Sequence, residues 1–519
     1  MKLERTKNAT RNIVFGMILK IYQIAMPFLL RTAMIYFMGV EYLGLDSLFT
    51  SVLQVLNLAE LGVGSAMVYS MYKPVANDDT TTICALMRLY RTYYRVIGGV
   101  IAVIGTVFTP FIPALIKSGF PSELNIYILY LLNLAATVLS YWLFAYKNAL
   151  FQAHQRVDVV SKISLLTSTF RYLLQFAVIF WVKDYYLYII AMLLAQVLTN
   201  IITAVRATIV YPDYKATGKL ERTAIKEINQ RIRDLFTSKI GAVIVNSADT
   251  VVISAFLGLT VQAVYQNYYF VLTSIIGLVT IVFNACTAGI GNSVIVETKE
   301  KNYNDLKKFT FLIAWIAGFC TCCLLCLYQP FMDIWVGKKL MLDFSAVICF
   351  CVYYFIYEIN QLLNTYKDAS GIWHTDRFRP LVTALANLGL NLIMVQFWGI
   401  YGILLSTVLS MLLVGMPWLL HNLFTTLFSK KYFAGYIKKL FYYTAIVLLS
   451  CLICYFMCYW INLSPWLTLI LRAAICCIIP NVIYFMFYRK SEGFQLCLQL
   501  LDRMTKGKLK LEKHFSKGQ

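Results

Sequence analysis

Charge is scarce in this sequence. Charged residues make up 14% of 519, where a soluble protein carries about 25%. Histidine is scarcer still, with four in the chain. His154, His374 and His421 sit at or near the ends of apolar runs and His514 lies in the tail, so none is paired with a nucleophile. There is no glycine-rich phosphate loop, no zinc-ligand spacing and no paired acidic motif in a loop. Long polar loops are missing on one side of the chain's apolar runs. A membrane polymerase or ligase of glycans would be expected to carry a sizeable charged loop there. These absences speak against an enzyme, and no cofactor or metal is expected.

Apolar sequence fills the space instead. The chain is 60% hydrophobic with a mean hydropathy of +0.68, and a bilayer-spanning helix needs about 20 apolar residues. The pattern predicts an all-α polytopic membrane protein of about fourteen spans. They fall near 13–38, 45–71, 86–112, 124–150, 159–182, 185–209, 237–258, 263–291, 308–330, 344–366, 379–397, 400–427, 435–461 and 465–488. The first run is too long for a signal-peptide core, so the first helix is expected to be retained. Cys320, Cys322, Cys323, Cys326, Cys451, Cys454, Cys458, Cys476 and Cys477 all fall inside apolar runs. Cys323 and Cys326 have CxxC spacing but no second pair or histidine cluster nearby, and read as small packing residues.

A net charge of +21 raises nucleic acid as a partner. The basic residues sit in short loops between spans, which the positive-inside rule explains without nucleic acid. Most lie at the N-terminus, in alternate loops and in the tail, while the opposite loops hold only Lys117, Lys183, Lys338 and Lys339. Both termini are therefore expected in the cytoplasm. The organisation reads as a six-helix bundle over 1–210, an amphipathic linker over 211–236, a second six-helix bundle over 237–428, two additional spans over 429–488 and a basic tail over 489–519. In the linker, Ile225, Ile228, Ile232 and Leu235 form an apolar stripe expected to lie on the inner membrane surface. The tail lysines, Lys506 to Lys517, suit anionic inner-leaflet lipids.

Charges inside spans carry the functional information, because an ion in hydrocarbon costs a few kcal/mol at least. Lys20, Pro27 and Arg31 share one face of the first span, and Glu60 lies in the second. Counting about 1.5 Å per residue from the cytoplasmic ends brings Lys20 and Glu60 within reach of each other. Arg31 has no obvious partner in this hairpin and reads as lining a hydrated cavity. Arg88, Arg91 and Arg95 climb one face of the third span; the first two can snorkel to lipid phosphates, and Arg95 lies a turn deeper. Arg171 falls near mid-bilayer, where a guanidinium calls for a carboxylate, a water-filled cavity or an anionic ligand. Its planar fork suits phosphate oxygens. In the second half, Asp249 either joins a hydrogen-bonded cluster with Asn246 and Thr250 or serves as a protonatable site, and Glu358 is a second such candidate. Lys20, Arg31, Arg95 and Arg171 are thus the candidate substrate-binding cations. Glu60, Asp249 and Glu358 are the candidate coupling groups or charge partners, for H+ or Na+.

The stretches Arg31–Leu45 (RTAMIYFMGVEYLGL), Asn57–Ala66 (NLAELGVGSA), Ala248–Gly258 (ADTVVISAFLG) and Arg379–Leu392 (RPLVTALANLGLNL), with the turn Trp398–Ile403 (WGIYGI), carry a family likeness. The chain resembles the Wzx-type flippases, the polysaccharide-transporter branch of the multidrug/oligosaccharidyl-lipid/polysaccharide (MOP) exporter superfamily. The resemblance implies two pseudo-symmetric six-helix bundles in a V-shaped arrangement with two further C-terminal helices. It implies transport of an undecaprenyl-pyrophosphate-linked oligosaccharide, the repeat unit of a surface polysaccharide, across a bacterial inner membrane. It also implies a cationic cavity, onto which Arg31, Arg95 and Arg171 are carried by depth and face, and contact with polysaccharide assembly proteins. A multidrug-type cation antiporter of the same superfamily is the alternative; it would want an acidic cavity, whereas the first half is net cationic.

Overall fold

The structure is a computed structural model that describes residues 5–60, 62–154, 156–372, 375–461, 463–489, 491 and 493–495. His374, His514 and the tail lysines from Lys506 on lie outside the described residues, as does the Asn246 side chain. Helices run in chain order as α1 (Arg5–Phe37), α2 (Val40–Leu56), α3 (Val63–Ala76), α4 (Thr80–Phe108), α5 (Ile126–Trp142), α6 (Asn148–Ala153), α7 (Val157–Ala177), α8 (Tyr185–Val210) and α9 (Arg222–Leu257). They continue as α10 (Leu259–Val296), α11 (Lys299–Trp335), α12 (Phe344–Ala369), α13 (Arg379–Trp398), α14 (Ile400–Ser410), α15 (Met416–Thr426), α16 (Phe433–Tyr459) and α17 (Pro465–Tyr488). No strand occurs among the described residues.

Among the described residues, eleven helices are long and apolar enough to cross a membrane. A twelfth is counted if α5 and the following segment Ala145–Ala153, bent by 48°, form one span. Two expected spans account for the remainder of the fourteen. The second is broken into α2 and α3 around a short 3-10 turn at Asn57–Glu60. The seventh is the far end of α9, whose first half is the polar linker. The outer faces match the span assignment: Trp181, Trp460, Phe397 and Phe441 are each more than two-thirds exposed, as lipid-facing residues would be. This is a multi-pass membrane protein.

Contacts divide the chain into two compact units, Met1–Gln266 and Asn267–Gln519. In the first, α1 packs on α7 and α2, α7 on α8, α8 on α5, and α5 on α4. Its core holds Leu45, Phe49, Met67, Ile83 and Tyr130, all at 0% exposure. In the second, α11 is central, with α12, α16 and α17 all packed against it. The last two spans therefore share the packing of this unit.

The linker differs from expectation. Its stripe is the start of α9, which runs without a break into the seventh span. Ile228 is buried and Ile232 packs against the first unit's core. At Gly62 the backbone φ is +89°, and a Cβ there would meet Leu235 Cβ at 2.7 Å. The missing side chain lets α9 come this close. A stripe that can bury itself against protein has no need to lie in the headgroup layer.

Candidate functional site

Arg31 and Asp46 meet because the first hairpin is tight. Met38 and Gly39 both donate their amides to Met34 O, at 3.0 Å each, and end α1. Gly39 then takes φ +129°, a conformation that favours glycine, and α2 begins at Val40. Arg31 lies six residues before the end of α1 at Phe37, and Asp46 six residues after the start of α2 at Val40. Both are therefore about 9 Å from the turn, at 1.5 Å per residue. The same device joins α9 to α10, where Gly258 has φ +96°.

Alongside this hairpin, α7 presents Arg171, Tyr172 and Gln175, and α8 presents Tyr188 and Met192. The α1–α7 contact is fixed by Tyr22 and Thr169, whose hydroxyls are 2.7 Å apart. The α7–α8 contact is fixed by Thr199 Oγ1 donating to Thr167 Oγ1 at 2.8 Å. Together these helices line a half-open cavity of about 150 Å³, bounded by Arg31, Asp46, Arg171, Tyr172, Gln175 and Tyr188 among others. The Arg171 guanidinium lies over the Tyr172 ring, 4.5 Å from its centroid, a cation–π contact that leaves its edge free for hydrogen bonds. Arg171 Nε and Gln175 Oε1 are buried without a hydrogen-bond partner among the described residues. Gln175 Nε2 donates to Tyr188 O at 3.5 Å.

Asp46 acts electrostatically on both Arg31 and Arg171. The cavity thus holds two guanidiniums and one carboxyl group. It balances positive. A half-open cationic chamber of this size has room for water and a small anionic group. It is smaller than the roughly 300 Å³ at which ordinary ligand pockets begin, so a sugar chain would not fit inside it.

The other candidates lie elsewhere. Arg95 is exposed on α4 and its carbonyl accepts from Trp142 Nε1 at 3.1 Å. Lys20 is exposed on α1. Neither lines the cavity. Glu60 sits at the break between α2 and α3, inside a tyrosine cluster. Its Oε1 accepts from Tyr94 OH at 3.2 Å, Tyr90 OH donates to Tyr94 OH, and Tyr141 OH donates to Asn57 Oδ1 at 3.2 Å. Asp249 is buried on α9 and accepts from Tyr265 OH at 3.5 Å. Glu358 is buried on α12, with Oε1 lacking a hydrogen-bond partner among the described residues.

Asp46 is the residue that sequence reasoning misses. Its position six residues into the second helix reads as an acid beside a loop. The signal is the turn: counted outward from Gly39, Arg31 lies eight residues back and Asp46 seven on, at nearly the same depth on adjoining helices.

No protein-family model and no curated protein sequence matches the chain. Solved structures do. The lipid II flippase MurJ in an inward closed conformation aligns over 92% of this chain and 99% of its own, with a TM-score of 0.63 and 15% identity. An inward-facing multidrug resistance MATE transporter aligns over 80% of this chain and 97% of its own, with a TM-score of 0.62 and 14% identity. A MOP superfamily transporter from Pyrococcus furiosus, described as having a binding pocket of reversed polarity, aligns over 80% and 95%, with a TM-score of 0.51 and 13% identity. The chain therefore shares the fold of these solved structures. Within that fold, the cavity beside α1 is cationic.

Proposed function

We propose that this protein is a flippase that moves an undecaprenyl-pyrophosphate-linked oligosaccharide from the cytoplasmic to the outer face of a bacterial inner membrane by alternating access. One observation carries the reading: Arg31 and Arg171, from helices far apart in sequence, converge on one half-open cavity whose lining includes a single acid, Asp46. Two fixed cations at membrane depth are costly unless they meet an anion. A phosphate offers paired acceptors to an arginine fork. The cavity would hold the anionic group, while the sugar lies outside it and the polyprenyl chain stays in lipid. A cation antiporter would want the opposite balance of charge.

The Wzx-type likeness and the lipid-linked cargo of the MurJ neighbour point the same way. Both termini would lie in the cytoplasm, with the loop lysines and arginines on anionic inner-leaflet lipids. Polysaccharide assembly proteins are the partners this role implies. Glu60, Asp249 and Glu358 are the candidates for coupling to H+ or Na+. Arg171→Ala and Arg31→Ala, expressed at wild-type level in a strain lacking the native gene, should each abolish surface polysaccharide export. Full export by either variant would overturn the assignment.

A further inference from the structure

Seven cysteines of the second unit face one another across three helices. Cys322 and Cys326 lie one turn apart on α11, beside Cys323; Cys451, Cys454 and Cys458 form a stripe on α16; Cys476 lies on α17. The Sγ atoms of Cys322 and Cys451 are 3.4 Å apart. At the end of the bundle where α11 and α16 finish and α17 begins, the Sγ atoms of Cys326, Cys458 and Cys476 all lie within 4.8 Å of one another, and all three residues are buried. Cys323 adjoins Cys476.

A second observation bears on the same place. Arg472 lies one turn before Cys476 on α17, inside the last span. It donates from Nη2 to Ile461 O at 3.0 Å, while its Nε is buried without a hydrogen-bond partner among the described residues. It is among the groups that act electrostatically on Cys458. An arginine inside a span needs an anion nearby, and no ion pair of Arg472 with a carboxylate is present among the described residues.

We propose that Cys326, Cys458 and Cys476 form a binding site for a thiophilic d10 metal ion, Cu(I) or Zn(II), with Arg472 balancing the charge of the thiolates. Soft thiolate ligands select such ions. A metal–sulfur bond of about 2.3 Å sets the sulfurs of a three-coordinate site about 4.0 Å apart, so the triad closes on a metal by shifts below an ångström. Each thiol that binds as a thiolate gives up its proton to solvent as the metal binds. Three thiolates and Zn(II) carry one net negative charge, which one guanidinium cancels. Cu(I) reaches the same balance with two thiolates and one retained thiol. Cys323 is placed to supply a fourth sulfur for tetrahedral zinc. Small residues on α11 also serve packing: a Cβ on Gly318 would run into Tyr484 and Val447. Packing asks for small side chains there; it does not ask for converging thiols beside an arginine.

The test uses the full chain, purified in detergent under reducing conditions and offered one equivalent of Cu(I) or of Zn(II). Metal retained after desalting is measured by elemental analysis, affinity by competition with a chromophoric chelator, and coordination by X-ray absorption. The expected result is one ion per chain with three or four sulfur neighbours. Cys458→Ser and Cys476→Ser should each weaken binding by more than the roughly 10- to 100-fold that loss of an outer-shell partner costs. Cys454→Ser, from the same packed stripe, and the exposed Cys477→Ser should bind as wild type. In the unmutated protein the metal should shield the triad from maleimide, which gives a reading even where a variant fails to fold. No retained ion, equal retention in all variants, or a disulfide within the triad of the isolated protein would each overturn the site.

Discussion

Asp46→Asn probes the cavity most sharply, because it removes the acid and keeps the shape. The net charge of the chamber rises from one positive to two. Two unit charges in contact at 4 Å interact by about 4 kcal/mol at an effective dielectric of 20. For charges taken at an illustrative separation of roughly 6 Å, each attraction is about 3 kcal/mol. A bound phosphate competes with Asp46 for those same guanidiniums. After reorganisation and water entry take their share, about 1.4 to 2.8 kcal/mol should remain, a 10- to 100-fold gain in affinity. The assay is binding of undecaprenyl pyrophosphate to the purified protein. Arg171→Ala should weaken binding by a similar factor, and Asp46→Asn combined with Arg171→Ala should return it close to wild type, since the chamber again carries one net positive charge. Unchanged or weaker binding by Asp46→Asn would refute the reasoning, since the anion would then sit elsewhere.

Other outcomes follow from the same geometry. Arg95→Ala should leave undecaprenyl pyrophosphate affinity within about twofold of wild type, because Arg95 is exposed and does not line the cavity. In the second unit, buried Asp376 accepts from Arg379 Nε at 2.7 Å, from Arg379 Nη2 at 2.8 Å and from Asn422 Nδ2 at 3.0 Å. Asp376→Ala leaves a buried guanidinium uncompensated and should cost about 3–5 kcal/mol, read as a large fall in melting temperature in detergent. Gly62→Ala should lower yield and melting temperature by forcing a positive φ on alanine and a collision with Leu235, a strain of about 1–3 kcal/mol.

Much of this architecture is legible in the sequence, because hydrocarbon allows a spanning chain few solutions. Apolar runs locate the helices. The breaks are harder: the second span reads as one run, yet the polar pair Asn57 and Glu60 and the glycines Gly62 and Gly64 divide it. Those residues find partners in Tyr94 and Tyr141, which depth counting along a single helix does not reveal. Arg31 and Arg171 can be singled out by depth alone. That they share a chamber is decided by the packing of α1 on α7. Arg95 is exposed on α4, which contributes nothing to the chamber's lining. The linker's stripe shows that something covers it and leaves open whether that is lipid or protein. The cysteine triad is the extreme case, since its members are brought together by helices whose sequence separation hides any ligand spacing.

Transport itself is the direct test. The purified protein would be placed in liposomes with a fluorescent undecaprenyl-pyrophosphate-linked oligosaccharide, and the fraction reaching the far leaflet measured by quenching. Translocation by the wild type, lost in Arg31→Ala and in Arg171→Ala but kept in Arg95→Ala, is the predicted pattern. Equal translocation by wild type and both cavity variants would contradict it.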